Sequence, residues 1–183
     1  RMLKKAPAER LKLLRESTNP QAQFVWAILR DSFHYCAVHL GEVADSARDI
    51  DFAMRWGFGT KQGPFELWQQ AGWKQVAQWI KEDIDAGKTL SNVPLPAWVF
   101  DGREGVHTSA GSWSASQNKY LPKSTLPVYS RQAFPETVGA AADPLKSGTE
   151  EFKNEEVRVW SADGEVLIAS ITAKLHLISP TVA

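Results

Sequence analysis

The sequence has one cysteine, no excess of either charge and no long apolar run in its 183 residues. Cys36 has no partner for an intrachain disulfide, which fits a reducing compartment such as the cytoplasm. Lysine plus arginine and aspartate plus glutamate both total 21, so charge gives no argument for binding nucleic acid or an anionic membrane. No apolar run approaches the roughly 20 residues of a transmembrane helix. The expected class is an ordinary globular protein without a membrane span.

Helical patterns occupy the first half of the chain. Residues 2–16 predict a polar, basic helix with a thin apolar stripe. Pro20 suits the first turn of a second helix that runs to about Leu40, with Gly41 as its C-cap. Apolar side chains cover most sides of this second helix, which predicts a central position with neighbours packed around it.

Three further helices are predicted from their start and stop signals. Ser46 opens a capping-box pattern, and Gly57 is the expected left-handed terminator of the short helix that follows. Pro64 begins a brief helix that Gly72 interrupts, and a further helix with one apolar face runs from Trp73 to near Gly87.

Prolines replace helical periodicity after Gly87. A small hairpin is predicted between Trp113 and Tyr120, and residues 121–153 are expected to be irregular with at most a short helix. Val157–Trp160 and Val166–Ile171 predict a β-hairpin around an Asp-Gly turn. The second strand is nearly all apolar, which predicts cover on both faces. The start at Arg1 and this uncovered hairpin suggest an excerpt from a longer polypeptide.

The most informative stretch is Asp49–Trp68, which holds a short helix, a glycine-punctuated turn and the start of a second helix. The residues that fit a known pattern at fixed spacing are Asp49, Ile50, Asp51, Ala53, Met54, Gly57, Gly59, Gly63, Pro64, Phe65, Glu66 and Leu67. On these residues the chain resembles the all-helical C-terminal domain of the 3-hydroxyacyl-CoA dehydrogenases of fatty-acid β-oxidation. The resemblance implies a mainly α fold, a helical bundle like that domain with a short C-terminal β-hairpin.

A second resemblance lies near the end of the chain. Residues 153–168 and 172–176 are similar to the first segment of an enoyl-CoA hydratase (crotonase-type) domain, as found in bacterial fusions of a dehydrogenase with a hydratase. The two resemblances together imply four segments. These are an N-terminal helix or linker (1–19), the helical dehydrogenase-like domain (20–104), a proline-rich connection (105–153) and the truncated start of a hydratase-like domain (154–183).

The resemblance also sets the expected function. The parent enzyme would oxidise a 3-hydroxyacyl-CoA with NAD and hydrate an enoyl-CoA, while this piece would pack domains together and be inactive by itself. Gln21–Phe24 lacks the Asn-Arg pair of the catalytic copy of the helical domain, which indicates the degenerate copy. No Gly-x-Gly-x-x-Gly follows a predicted strand, so the NAD site is expected elsewhere in the parent. The implied partners are the neighbouring dehydrogenase and hydratase domains, the acyl-CoA substrate of the parent, or a second copy in a homodimer.

No catalytic, cofactor-binding or metal-binding residue is therefore predicted in this chain. Gly57, Gly59 and Gly63 follow a helix rather than a strand, so helix termination explains them better than a phosphate cradle. Asp49 and Asp51 lie two residues apart and project from different sides of a helix, which favours capping over acid–base chemistry.

The histidines give no metal-site pattern. His34, Cys36 and His39 share a helix without the i, i+3 or i, i+4 spacing of ligands, so partly buried, hydrogen-bonded histidines are expected. His107 is predicted on a loop with nothing nearby to activate it. Lys174 is expected to be solvated, although it could approach a CoA phosphate in a complete hydratase.

Eight tryptophans leave a second function open. The expected role of Trp56, Trp68, Trp73 and Trp79 is core packing. The alternative is an aromatic surface, to which Trp26 and Phe33 could also belong, in a stand-alone Trp-rich helical protein-interaction module. An autonomous acyl-CoA binder is a weaker hypothesis, because no basic cluster for the 3′-phosphate is evident.

Overall fold

The computed structural model describes residues 5–131, 138, 148–161 and 164–182. In these ranges the chain is mainly α, with four main helices and two small three-stranded antiparallel sheets. It divides into two compact units, Arg1–Ala140 and Ala141–Ala183. No described helix combines the length and the apolar character that crossing a bilayer requires.

The first unit contains the helices and one of the sheets. Its helices are α1 (Pro7–Glu16), α2 (Pro20–Val43), α3 (Ala47–Phe58), α4 (Pro64–Asp85), a 3-10 turn (Ala97–Phe100) and the short α5 (Pro127–Ser130). Its strands are β1 (His107–Thr108), β2 (Gly111–Ser114) and β3 (Lys119–Leu121), which pair in that order. Trp113 lies opposite Tyr120 in the β2–β3 pair, which confirms the predicted hairpin.

Two predicted helix ends are wrong. Gly41 lies inside α2, which continues to Val43, and a Cβ added there would meet the Ser116 nitrogen at 3.4 Å, an ordinary contact distance. Gly57 lies inside α3, and Gly59, with φ of +66°, is the left-handed residue that ends the helix. The predicted interruption at Gly72 is confirmed as a kink within α4.

One core joins α1, α2, α4 and the first sheet. Leu11 of α1 and Phe33 of α2 pack in the same cluster as Trp68 and Trp73 of α4. Trp113 of β2 belongs to it as well. The core therefore draws on segments outside 20–104, the predicted limits of the helical domain. Neither the sparse apolar positions of α1 nor the short strand β2 indicates locally that it packs against the other helices.

The tryptophans divide between core and surface. Trp68 and Trp73 are buried and Trp79 is half-buried, which confirms the predicted packing role for these three. Trp56 is 67% exposed, so the packing prediction is wrong for this residue. Trp26, which the sequence left open, is buried in the core with Phe33.

The second unit is a small antiparallel sheet followed by a 3-10 turn at Lys174–His176. Its strands are β4 (Thr149–Lys153), β5 (Val157–Ser161) and β6 (Leu167–Ile171), in that order. The pairing of Val157 with Ile171 and Ser161 with Leu167 confirms the predicted hairpin. β4 corrects the prediction of irregular structure up to residue 153, and residues 132–137 and 139–147 of that predicted connection lie outside the described residues. The charged, exposed sequence of β4 lacks the apolar alternation that would mark a strand.

Candidate functional site

A remote carboxylate caps the start of α4. Asp51 on α3 accepts hydrogen bonds from the backbone N–H groups of Phe65 (2.9 Å) and Glu66 (3.1 Å). The first N–H groups of a helix have no partner within the helix, so a buried helix start needs an outside acceptor. Asp51 is fully buried and supplies that acceptor. It is therefore a capping residue, as predicted, but it caps α4 rather than its own helix α3.

The glycine and glutamate of the same motif complete this corner. A Cβ added to Gly63 would stand 2.2 Å from Asp51 Oδ1, so only glycine lets the two helices meet this closely. Glu66 Oε2 accepts the Gly63 N–H at 2.7 Å, and Asp49 accepts the Ser46 N–H at 2.9 Å in a capping box at the start of α3. In this chain the family-like motif therefore fixes how α3 and α4 pack against each other at the loop that joins them.

His107 joins the corner to the first sheet. Its Nε2 lies 2.7 Å from Asp51 Oδ2, and its Nδ1 lies 2.9 Å from Ser112 Oγ. A hydrogen on Nε2 donates to the carboxylate, which leaves Nδ1 to accept from the serine hydroxyl. The prediction that His107 lies on a loop with nothing nearby to activate it is wrong, since it lies opposite Ser112 in the β1–β2 ladder and contacts the Asp51 carboxylate. Only that cross-strand pairing, invisible in a two-residue strand, brings the groups together.

The Asp51–His107–Ser112 chain has the order of a serine-nucleophile relay, but its surroundings fit an attachment point better. Ser112 is 4% exposed and His107 is 8% exposed, whereas a nucleophile must reach its substrate. Asp51 is also occupied by two helix amides. The hydrogen bonds therefore hold β1 against the α3–α4 corner.

A glutamine strengthens the attachment from α4. Gln69 Oε1 accepts the N–H groups of Val106 and His107, both at 2.9 Å, and its Nε2 donates to the His107 carbonyl at 2.9 Å. The side chain thereby replaces a neighbouring strand along β1. We call Asp51, Gly63, Gln69, His107 and Ser112 the corner clamp.

Burial sets the electrostatics of this region. It raises the pKa of the Asp51 carboxyl, and the hydrogen bonds from His107 and the Phe65 amide oppose that rise. Burial, with a smaller contribution from the charge of Asp51, raises the pKa of the Cys36 thiol to about 12. Cys36 is therefore a protonated apolar side chain at neutral pH rather than a reactive thiolate.

An apolar groove of about 1050 Å³ runs beside the clamp, between α2 and α3. Phe24 is 67% exposed in it, Leu90 is 91% exposed, and Ile28 and Tyr35 are also largely exposed. The groove is lined by Phe24, Ala27, Ile28, Asp31, Ser32, Tyr35, Cys36, Val43, Ala44, Asp45, Asp49, Ile50, Ala53, Met54, Pro64 and Leu90. A large, contiguous apolar surface of this kind marks an interaction site more often than a free surface.

The lining residues follow helical spacing on both walls. On α2 they recur at three- and four-residue intervals, as from Phe24 to Ile28 and from Ile28 to Asp31. On α3 the same spacing places Ile50 and Met54 on one face. Two apolar stripes therefore face one groove, whose α3 wall is held by the corner clamp.

The rim of the groove is acidic. Asp31, Asp45 and Asp49 are among its lining residues, and no lysine or arginine is. Asp31 is paired with Arg30, at 3.0 Å between Oδ1 and Nε, and Asp49 caps α3. The exposed carboxylates of Asp45 and Asp49 favour a cationic rather than an anionic occupant.

The remaining predicted positions form no second site in the part of the chain that the structure describes. His34 Nε2 lies 2.7 Å from the Val93 carbonyl, and His39 Nδ1 lies 2.8 Å from Glu42, which confirms that both are hydrogen-bonded. No group of three or more potential metal ligands occurs among the described residues. Lys174 is exposed, as expected.

Comparison with known proteins gives one informative match. No protein-family model matches the chain, and no solved structure does. The chain is 38% identical over 107 residues to a "Probable 3-hydroxyacyl-CoA dehydrogenase" of Bacillus subtilis (strain 168). The match covers 52% of this chain but 14% of the relative. The chain is thus similar, over about half its length, to a small part of a much larger probable dehydrogenase.

Proposed function

We propose that this chain is a domain-packing part of a longer 3-hydroxyacyl-CoA dehydrogenase and does not itself carry out the oxidation. The similarity to a small part of a probable dehydrogenase supports the relation to an oxidoreductase. NAD and the 3-hydroxyacyl-CoA would be bound by other parts of the parent polypeptide. This chain would contribute a rigid surface against which those parts assemble.

The observation that carries the proposal is the apolar groove between α2 and α3. Phe24, Ile28 and Tyr35 are exposed although they belong to the central helix of the unit. Exposed side chains of this size in one groove are stabilised when a second protein surface covers them. The corner clamp keeps the α3 wall in place, so the surface is already formed before a partner arrives.

The sheet of the second unit extends the proposal to a hydratase. Residues 153–176, which resemble the start of an enoyl-CoA hydratase domain, contain β5 and β6. Leu167 of β6 is largely exposed and is suited to further packing. We propose that this segment leads into the hydratase part of a fused enzyme, so that the chain holds two activities in one body.

The alternative of a Trp-rich interaction module receives less support. Trp26, Trp68, Trp73 and Trp113 are buried, and of the tryptophans only Trp56 is largely exposed. The exposed groove is aliphatic and aromatic in mixed proportion, as a helix-packing surface would be. Six of the tryptophans therefore lie in or against the core of the first unit.

Two measurements test the proposal. Isothermal titration calorimetry of the purified chain with NAD should show no binding, and micromolar affinity would contradict a purely packing role. In a chimera, the region of the Bacillus subtilis relative that aligns with this chain is exchanged for the residues found here. We expect the chimera to keep NAD-dependent oxidation of 3-hydroxyacyl-CoA. A chimera that folds, as judged by circular dichroism, but has lost this activity would argue against the proposal.

A further inference from the structure

We infer that the groove between α2 and α3 receives an amphipathic helix whose apolar stripe is flanked by lysine or arginine. The inference rests on the proposed function for its setting, since that helix would belong to a neighbouring domain of the parent polypeptide. It adds that the segment bound in the groove is helical and basic, which neither the similarity to the dehydrogenase nor the apolar character of the groove specifies.

The length and spacing of the groove favour a helix. At 1.5 Å per residue the groove follows α2 for about 18 Å, from Phe24 to Cys36, and meets the helix again at Val43, about 28 Å from Phe24. Both walls present side chains at three- and four-residue intervals, which is the pattern that packs against the ridges of a third helix. A helix laid in an apolar groove is a common mode of peptide recognition.

The charges of the groove favour a basic partner. Asp45 and Asp49 are exposed carboxylates of the lining, which includes no lysine or arginine, whereas the charge of Asp31 is balanced by Arg30. The groove also reaches the C-terminal end of α2 at Val43 and Ala44, where the last turn of the helix has no basic residue. Helix C-termini carry partial negative charge that a nearby cation compensates. The exposed carboxylate of Asp45 and the C-terminus of α2 therefore both contribute negative charge at this end of the groove.

The same charges disfavour the other occupants. An acyl-CoA would bring its phosphates to a rim of carboxylates, where like charges repel. A second copy of the chain would place the same acidic patch on both sides of a two-fold contact. A basic amphipathic helix matches both the apolar stripe and the acidic rim.

A pair of peptides tests the charge assignment directly. The first is an 18-residue helical peptide with leucines at i, i+3, i+4 and i+7 positions and lysines flanking that stripe, roughly the length that fits the groove. The second replaces every lysine with glutamate. Fluorescence anisotropy with the full chain should show the lysine peptide binding at least about tenfold tighter at low salt, with the difference shrinking as ionic strength rises.

Matched variants locate the binding site. Asp45 is exposed and lines the groove, so Asp45→Lys should weaken binding of the lysine peptide about threefold or more. Asp85→Lys changes an exposed carboxylate at the end of α4 that does not line the groove, and it should have no effect. Ile28→Ser removes an exposed apolar contact and should weaken both peptides without unfolding the chain.

Each other outcome overturns the inference. Equal affinity for the two peptides, or no binding of either, would exclude a basic helix as the specific partner. Binding of palmitoyl-CoA to the chain that disappears in Ile28→Ser would identify the groove as an acyl-chain site. Self-association in sedimentation experiments that is abolished by Ile28→Ser would identify it as a dimer contact. The chimera experiment tests the domain-packing role independently, so a negative result with the peptides does not by itself contradict that role.

Discussion

Asp51 joins three elements through the hydrogen bonds of one carboxylate. It accepts from two amides of α4 and from His107, and it lies in contact with the backbone of Gly63. A fully buried carboxylate is stable only when its oxygens are hydrogen-bonded. The residue therefore acts as the point where α3, α4 and β1 are fastened together.

Replacing Asp51 tests that fastening. In Asp51→Asn the amide group of the new side chain would face backbone donors, so the free energy of unfolding should fall by about 2–4 kcal/mol. Asp49→Asn is the matched control, since it changes an exposed cap of the same motif and should lower stability by about 1 kcal/mol or less. Urea unfolding followed by tryptophan fluorescence measures both. Equal losses in the two variants would contradict the central role of Asp51.

A second residue-scale prediction concerns pH. Arg103 lies 3.5 Å above the centre of the Trp113 ring and pairs with Asp101, at 2.9 Å between Nε and Oδ1. The hydrogen bond from Arg103 lowers the pKa of Asp101 below its ordinary 3.8. A lowered carboxyl pKa gives a stability contribution that is present above the unfolded value and is lost as pH falls through the folded value.

Asp101→Asn should therefore destabilise the chain at pH 7 and not at strongly acidic pH. Asp101 is partly exposed, so the loss at neutral pH should be at most about 1 kcal/mol. Thermal unfolding of both proteins across pH 2–7 gives the comparison, with the difference in unfolding free energy closing below about pH 3.8. A difference that stays constant over this range would show that Asp101 acts through its shape rather than its charge.

At the scale of elements, the two glycines that flank the α3–α4 loop have opposite roles. Gly63 lies against Asp51, and any side chain there collides with the clamp. Gly57 lies inside α3 with open space where a Cβ would stand. One glycine is required by a close approach between helices, and the other only weakens a helix.

Alanine at each position should separate these roles. Gly57→Ala should raise the free energy of unfolding by about 0.5–1 kcal/mol, because alanine restricts the unfolded chain and favours the helix. Gly63→Ala should lower it by about 2 kcal/mol or more, because Asp51 must shift from its partners. Chemical denaturation of the two variants side by side is sufficient. Stabilisation by Gly63→Ala would show that the helix corner tolerates a wider separation.

The sequence predicts those elements whose signals are local. The proline and serine starts of α2 to α4 and the pairing of β5 with β6 depend on signals carried by a few neighbouring residues, and the sequence predicts them. The Asp-Gly dipeptide predicted to join the two strands includes residue 163, which lies outside the described residues. The clamp depends on His107 meeting Asp51 across 56 positions, which no local pattern records. The sequence does not predict the apolar groove for a similar reason. Its walls come from two helices, and the apolar stripe of each helix is typical of an ordinary core face. The sequence thus predicts the helix starts within the motif but not the long-range contacts that its residues make.

At the scale of the whole molecule, the two compact units differ in how much they bury. The first unit has a core that includes several fully buried aromatic residues, such as Phe65 and Trp68. The described part of the second unit buries a smaller apolar set, Val157, Trp160 and Ala173. Its outer strand β6 exposes Leu167. Since burial of apolar surface is the dominant favourable term in folding, the second unit should be the less stable one.

Hydrogen exchange can measure this difference within one sample. Amides of β5, although paired on both sides, should exchange through openings of lower free energy than amides in the middle of α2 and α4, because regions with little buried surface open locally. Trp160→Ala should accelerate exchange in β4 to β6 and leave α2 and α4 unchanged, since its ring is buried in the second unit. The matched variant Trp68→Ala should act on the first unit instead. If either variant accelerates exchange in all described helices and strands alike, the chain unfolds as one cooperative unit. That result would contradict the prediction that the second unit is independently less stable.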